Sequence, residues 1–218
     1  LDATLFAKKS VMTISGYAGS TTLANFPVLV RLAADSPSGF AYADVTNGDI
    51  RFADANGNSL PFEIEKWDPS GESHVWVSVP SLSGQATTIT MYYGAITGKL
   101  PPVDSTGVWS LAGYQNVLHY SDASGYLDID STDNDLTISK GAGDFSADSS
   151  GVLGSCMKIG SKTGIKVGTH SGRMWEAGGA VTFSAWGNRS TDTGARYLFG
   201  TSGATAYAQN STFTVTVG

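Results

Sequence analysis

Apolar and polar residues alternate with a period of two along much of the chain, the spacing that turns one face of a β-strand to a core and the other to water. The clearest stretches are Phe26–Leu32, Asp49–Ala53, Pro61–Trp67, His74–Pro80 and Thr87–Tyr93, with Val181–Trp186 and Thr212–Val217 further on. No segment sustains the 3.6-residue period of an amphipathic helix, and 27 glycines punctuate the chain. Many short strands with turn residues between them predict an all-β protein of sandwich or jelly-roll type.

A boundary is expected in the stretch Thr97–Gly107, where Pro101 and Pro102 stand together between glycines. Adjacent prolines remove two donors and cannot sit inside a sheet, so the stretch reads as a short, stiff linker. It divides the chain into two β-sandwich or jelly-roll-like domains in tandem, residues 1–103 and 107–218. The second half has longer polar loops, such as Asp128–Asp135 and Gly141–Ser150, and no internal repeat is found.

One hairpin can be built from the pattern. Pro61–Trp67 and His74–Pro80 flank the turn-forming run Asp68-Pro69-Ser70-Gly71-Glu72-Ser73. If Trp67 pairs with His74, then Phe62, Ile64, Val77 and Val79 share an apolar face. Glu63, Glu65, Trp67, His74, Trp76 and Ser78 share the other. Tryptophan beside carboxylates is a sugar-gripping arrangement: the ring stacks on a pyranose while the oxygens accept its hydroxyls. Trp67, Trp76, Glu65 and His74 are therefore candidate ligand contacts. The plainer reading carries more weight, because two tryptophans on one hairpin seldom face solvent: a second domain or subunit covers them. Glu63 and Glu65 lie on one strand about 7 Å apart and point the same way. A glycosidase pair must instead flank the scissile bond from opposite sides, so no catalytic residue is assigned.

Composition narrows the classes. The formal charge is −6, with 13 Lys plus Arg scattered along the chain, so the clustered basic face that nucleic acid requires is missing. No run of ~18 apolar residues could span a bilayer as a helix. An acidic, Lys-poor, Gly/Ser/Thr-rich chain fits an extracellular or cell-surface β protein, and the start at Leu1 reads as a mature or trimmed form. Cys156, the single cysteine, reads as a small buried hydrophobe, with an intermolecular disulfide as the minor alternative.

Two acidic stretches invite a metal reading. Asp54-Ala55-Asn56-Gly57-Asn58 opens like a calcium loop, but its sixth position is Ser59, where glycine is required, and an Asn-Gly hairpin turn explains it. The run Asp128–Asp135 offers Asp128, Asp130, Asp133 and Asp135 as candidate ligands for Ca²⁺. Its plainer reading is a solvated loop of turn formers. His74, His119 and His170 share no metal spacing, and no Gly-x-Ser-x-Gly elbow supports a serine nucleophile. Asn188 and Asn210 open N-glycosylation patterns.

Up to about residue 103 the chain resembles the bacterial surface family known as domain of unknown function 2341. The motifs that carry this are Asn25–Leu32, Asn47–Asp54, Phe62–Asp68, Val75–Pro80 and Met91-Tyr92-Tyr93-Gly94, in that order. The family's usual Trp before the first strand is not present. The resemblance implies a place in large, secreted, multidomain proteins and no catalytic residues. Gly107–Leu111, Asp148–Gly151 and Ala180–Trp186 resemble a laminin-G-like or concanavalin-A-like lectin jelly roll. The acidic motif frequent in that family is replaced here by Ile159–Gly164, so the resemblance implies no calcium site there. With Gly218 following the strand Thr212–Val217, this second sandwich is expected to lack C-terminal strands. Such a sandwich leaves an edge open: either the sequence is a truncated piece, the domain is a shortened variant, or another chain fills the edge, with Leu1–Tyr17 a candidate donor.

Three functions follow, in order. The first is a non-catalytic extracellular binding or adhesion module for carbohydrate or a cell-surface partner. The second is a structural subunit that self-assembles with other protein subunits by strand donation. The third, a glycan-active hydrolase, rests only on the breadth of chemistry that jelly rolls host.

Overall fold

In a computed structural model, the residues described are 1–45, 48–84, 86–96, 100–120, 130–140, 145–159, 165–167, 182 and 184–187. The strands Thr212–Val217, the sequons at Asn188 and Asn210, Asp128 and His170 lie outside them. The chain forms two compact units, Leu1–Met174 and Trp175–Gly218. Of the second unit only Thr182 and Ser184–Gly187 are described, and they are irregular rather than strand.

Unit one is almost wholly β. Its strands are β1 (Phe6–Ile14), β2 (Leu23–Leu32), β3 (Arg51–Ala53), β4 (Ser59–Leu60), β5 (Phe62–Lys66), β6 (Ser73–Leu82) and β7 (Thr87–Ala95). A single turn of helix, α1 (Gly107–Ser110), precedes β8 (Ile138–Lys140), β9 (Phe145–Asp148), β10 (Cys156–Ile159) and β11 (Ile165–Val167). One antiparallel sheet runs β1-β7-β3-β4 and another β2-β6-β5, while β9–β10 and β8–β11 form two-stranded pairs. No helix among the described residues is long and apolar enough to cross a membrane.

The inner faces of the two large sheets share one core, as period-two burial demands. Val30, Leu32, Val75, Val77 and Val79 line one side, and Phe52, Ile89, Met91 and Tyr93 the other. Phe52 meets Phe62 across the gap, with ring centroids 5.3 Å apart. The edge strands β1, β2 and β4 of the two large sheets are blunted, which limits pairing with foreign strands. Strand β1 carries exposed Lys8 and Lys9; β2 carries Pro27 and a left-handed Asn25 (φ 48°); β4 has two residues. The candidate donor Leu1–Tyr17 supplies β1 to this chain's own sheet.

The β5–β6 hairpin differs from the expected register. Phe62 pairs with Val77 rather than Val79, a two-residue shift that preserves the faces. A bulge between Ile64 and Lys66 then breaks the alternation, and Lys66, not Trp67, stands opposite His74. Beyond the bulge Trp67 turns to the core side and meets Tyr42 edge-on at 5.4 Å. Tyr42 Oη donates to the Leu32 carbonyl (2.7 Å) and accepts from the Ser73 N–H (3.2 Å), fixing this corner. Trp67 and Trp76 therefore do not share one face. Ile64 pairs with core-facing Val75, yet on its edge strand it remains 37% exposed.

Candidate functional site

The outer face of β2-β6-β5 is where chemistry-bearing side chains converge. Strand β5 aims Glu63 and Glu65 outward, and β6 aims His74 and Trp76. The segment after the proline linker lies over them, beginning with α1, which touches β2, β5 and β6. Asp104 Oδ1 accepts from the Gly107 N–H (2.8 Å) and opens that turn. A Cβ at 107 would stand 2.3 Å from Asp104 Oδ2, so a larger residue there would push that carboxylate aside. At its other end Gly113 adopts φ 83°, with its N–H bonded to Ser110 O and that of Tyr114 to Trp109 O. This is a Schellman closure, and the Trp109–Tyr114 ring contact at 5.4 Å is its usual apolar companion.

Seated in this way, Trp109 meets Trp76 edge-on at 5.2 Å and donates its indole N–H to Glu63 Oε2. His119 follows ten residues later and inserts its ring between the two carboxylates. Its Nε2 lies 3.1 Å from Glu63 Oε2, and its Nδ1 contacts Glu65 Oε2. Carboxylates only accept, so both ring nitrogens carry protons and the ring is an imidazolium. Two carboxylates against one cation leave one negative charge in excess. Three neutral donors absorb it: Trp109, Trp76 Nε1 to Glu65 Oε2 (3.1 Å) and Ser131 Oγ to Glu63 Oε1 (2.7 Å).

Burial alone would push the His119 pKa down, but the hydrogen bonds and charges of Glu63 and Glu65 outweigh it and raise it to about 10. Burial likewise works to raise that of Glu63, and the bonds from His119, Trp109 and Ser131 with the imidazolium charge bring it below the ordinary value. The group is closed: the side chains of His119, Glu63 and Glu65 are 13%, 18% and 4% exposed. It is a clamp, with no gap between the carboxylates for a substrate bond.

Of the candidate ligand contacts, Glu65 and Trp76 belong to this clamp. Trp67 lies on the core side. His74 sits at the rim, where Nδ1 donates to the Leu153 carbonyl and Nε2 lies 2.8 Å from Glu72 Oε1. Glu72 Oε1 also accepts from Arg31 Nε (2.8 Å). Trp109, His119 and Ser131 were not singled out by sequence reasoning. The outward pairing of Glu63 and Glu65 was the available signal; nothing local points to a partner some 55 positions away.

From Asp130 on, the acidic loop is organised by hydrogen bonds. Buried Asp130 accepts through Oδ1 from the N–H groups of Val117 and Thr132 (both 3.1 Å) and from Thr132 Oγ1 (3.0 Å). Its Oδ2 accepts from the Leu136 N–H (3.0 Å). Asp133 and Asp135 are exposed, and Asp135 has φ 46°. Among the described residues no three His, Cys, Asp or Glu side chains are arranged to hold a metal ion. Asp130→Ala should therefore cost about 2 kcal/mol in urea unfolding, whereas Asp133→Ala should stay within about 0.5. The other such run behaves as an Asn-Gly turn: Asp54 Oδ1 accepts from the N–H groups of Asn56 and Asn58 (2.9 and 2.8 Å), and Gly57 has φ 82°.

Residues 46–133 match the model of a family described as a domain of unknown function (DUF2341). The matched stretch starts after β2 and runs past the proline linker, taking in α1, His119, Asp130 and Ser131. No curated protein and no solved structure matches the chain.

Proposed function

We propose that the chain is a non-catalytic binding module of the cell exterior, in which the first sandwich is scaffold and the residues after it meet carbohydrate or a cell-surface partner. The observation that carries this reading is the closed clamp. The acids best placed for chemistry, Glu63 and Glu65, are engaged by the chain's own His119, Trp109, Trp76 and Ser131. Ligand contact is then assigned to residues 107–218, which resemble a laminin-G-like or concanavalin-A-like jelly roll. Trp186, 80% exposed, offers the bare indole face that stacks on a pyranose.

Retention on a glycan array tests this. The chain should bind, and Trp186→Ala should lose at least about tenfold in affinity with thermal unfolding unchanged, as for a ring that contributes only stacking. A blank array with the unaltered chain would remove the carbohydrate reading, and sustained polysaccharide turnover would remove the non-catalytic one. Assembly by strand donation ranks second, because the edges of the large sheets carry lysines, a proline, a bulge or very short strands.

A further inference from the structure

We infer that the outer face of β2, β6 and β5 is a two-point seat that holds α1 and the β9–β10 pair in one fixed orientation, with His119 and His74 as its locks. The two histidines work in opposite directions. His119 reaches from the following segment into the sandwich, between Glu63 and Glu65. His74 reaches out of the sandwich to the Leu153 carbonyl, in the connection between β9 and β10.

That second point is an ordinary packing contact as well as a hydrogen bond. A Cβ on Gly154 would stand 3.7 Å from Lys66 Cβ and 3.8 Å from the Glu65 carbonyl. Strand β5 serves both points: alternation leaves Glu65 outward toward His119, and the bulge after Ile64 sets Lys66 opposite His74. Glu72, shared by His74 and Arg31, backs the second lock. At the start of the segment Arg51 Nε and Nη2 both donate to the Pro101 carbonyl, at 2.9 and 2.6 Å. A hinge between independent modules needs none of these ties, whereas a joint that fixes orientation needs ties at separated points. The partner this surface takes is thus the chain's own continuation, recognised by an indole, an imidazolium and a backbone carbonyl. The inference goes beyond the proposed function and holds whatever the ligand.

Hydrogen–deuterium exchange on the full chain tests it. The amides of Trp109, Tyr114 and Val117, and those of β9–β10, should exchange within about tenfold of those of β6, as members of one cooperative unit do. His119→Gln should speed the first set at least about 100-fold, and His74→Ala the second, with β6 speeding alongside because it shares their opening. The seat is overturned if, in the unaltered chain, both sets exchange more than about 1,000-fold faster than β6. It is also overturned if both substitutions leave them unmoved. Should a variant lose β6 protection, the unaltered chain still decides, and Trp109→Phe provides a milder opening of the first point. A blank glycan array would leave these exchange rates untouched, so the two readings fail separately.

Discussion

Replacing His119 with alanine is expected to lower the unfolding free energy by about 3 kcal/mol, because it leaves two largely buried carboxylates facing each other without their cation. Little of this loss comes from the imidazole's own burial. Glu63 and Glu65 would keep three neutral donors, but each would feel the other's charge in a water-poor site. The companion variant His119→Ala/Glu65→Gln separates the causes. Removing one carboxylate relieves the repulsion, so the double variant should recover about 1–2 kcal/mol. Urea midpoints with an unchanged m-value would measure both. A single variant that costs under about 1 kcal/mol would show the clamp to be no more than a surface ion pair.

The pH dependence of the same pair of proteins follows from the sign of each shift. His119 is raised from 6.5 to about 10, so its stabilisation is complete below pH 6.5, erodes as pH rises from there, and is gone above about 10. Glu63 is lowered from 4.5, so its share is present above that pH and is lost as pH falls through the folded value. The clamp therefore contributes most between about pH 4.5 and 6.5. The stability difference between the unaltered chain and His119→Ala should shrink from pH 6.5 toward 9.

Much of the sandwich was legible because its strands obey period two, and the failures are local. Strand β1 was read as a candidate donor to another chain and not as part of this sheet, because its core-side positions, Phe6, Lys8, Ser10, Met12 and Ile14, mix apolar with polar residues. An edge strand tolerates this: Lys8 leaves the core by reaching Asp44. Trp67 was placed on the wrong face because a bulge shifts the phase by one residue, and Glu65-Lys66 carries no glycine to announce it. The turn at Asp54 was read correctly because Asx geometry is local.

The clamp was half legible. The outward pair Glu63/Glu65 and the neighbouring Trp76 came directly from alternation, and so did the expectation that something covers them. The identity of the cover did not, since His119 sits in an apolar run, Val117-Leu118-His119-Tyr120, with no motif around it. Charge balance is the physical clue that was missed. Two carboxylates on one buried face require a cation, and the nearest candidates on the hairpin are committed elsewhere, Lys66 to Asp68 and His74 to Glu72 and Leu153. In both acidic stretches backbone N–H groups reach a carboxylate oxygen, at Asp54 and at Asp130.

The largest effect is expected at Phe52, where alanine should cost about 4 kcal/mol. Strand β3 has only three residues, yet it lies inside its sheet, between β7 and β4. Phe52 stands opposite Met91 on one side and Leu60 on the other, fully buried, and its ring bridges to Phe62 of the facing sheet. Close-packed neighbours held by two ladders cannot collapse into the vacated space, so a cavity term adds to the lost transfer energy. The next residue back, Arg51, holds Gly48, Ile50 and Pro101 carbonyls and stacks over Phe62 at 5.9 Å. A displaced β3 would therefore also loosen the start of the segment that leads to the clamp. Phe52→Leu, which keeps most of the volume, should cost no more than about 1.5 kcal/mol. Guanidinium unfolding of both variants decides the matter: equal losses would mean that the site relaxes and that the core is not centred on the Phe52–Phe62 contact.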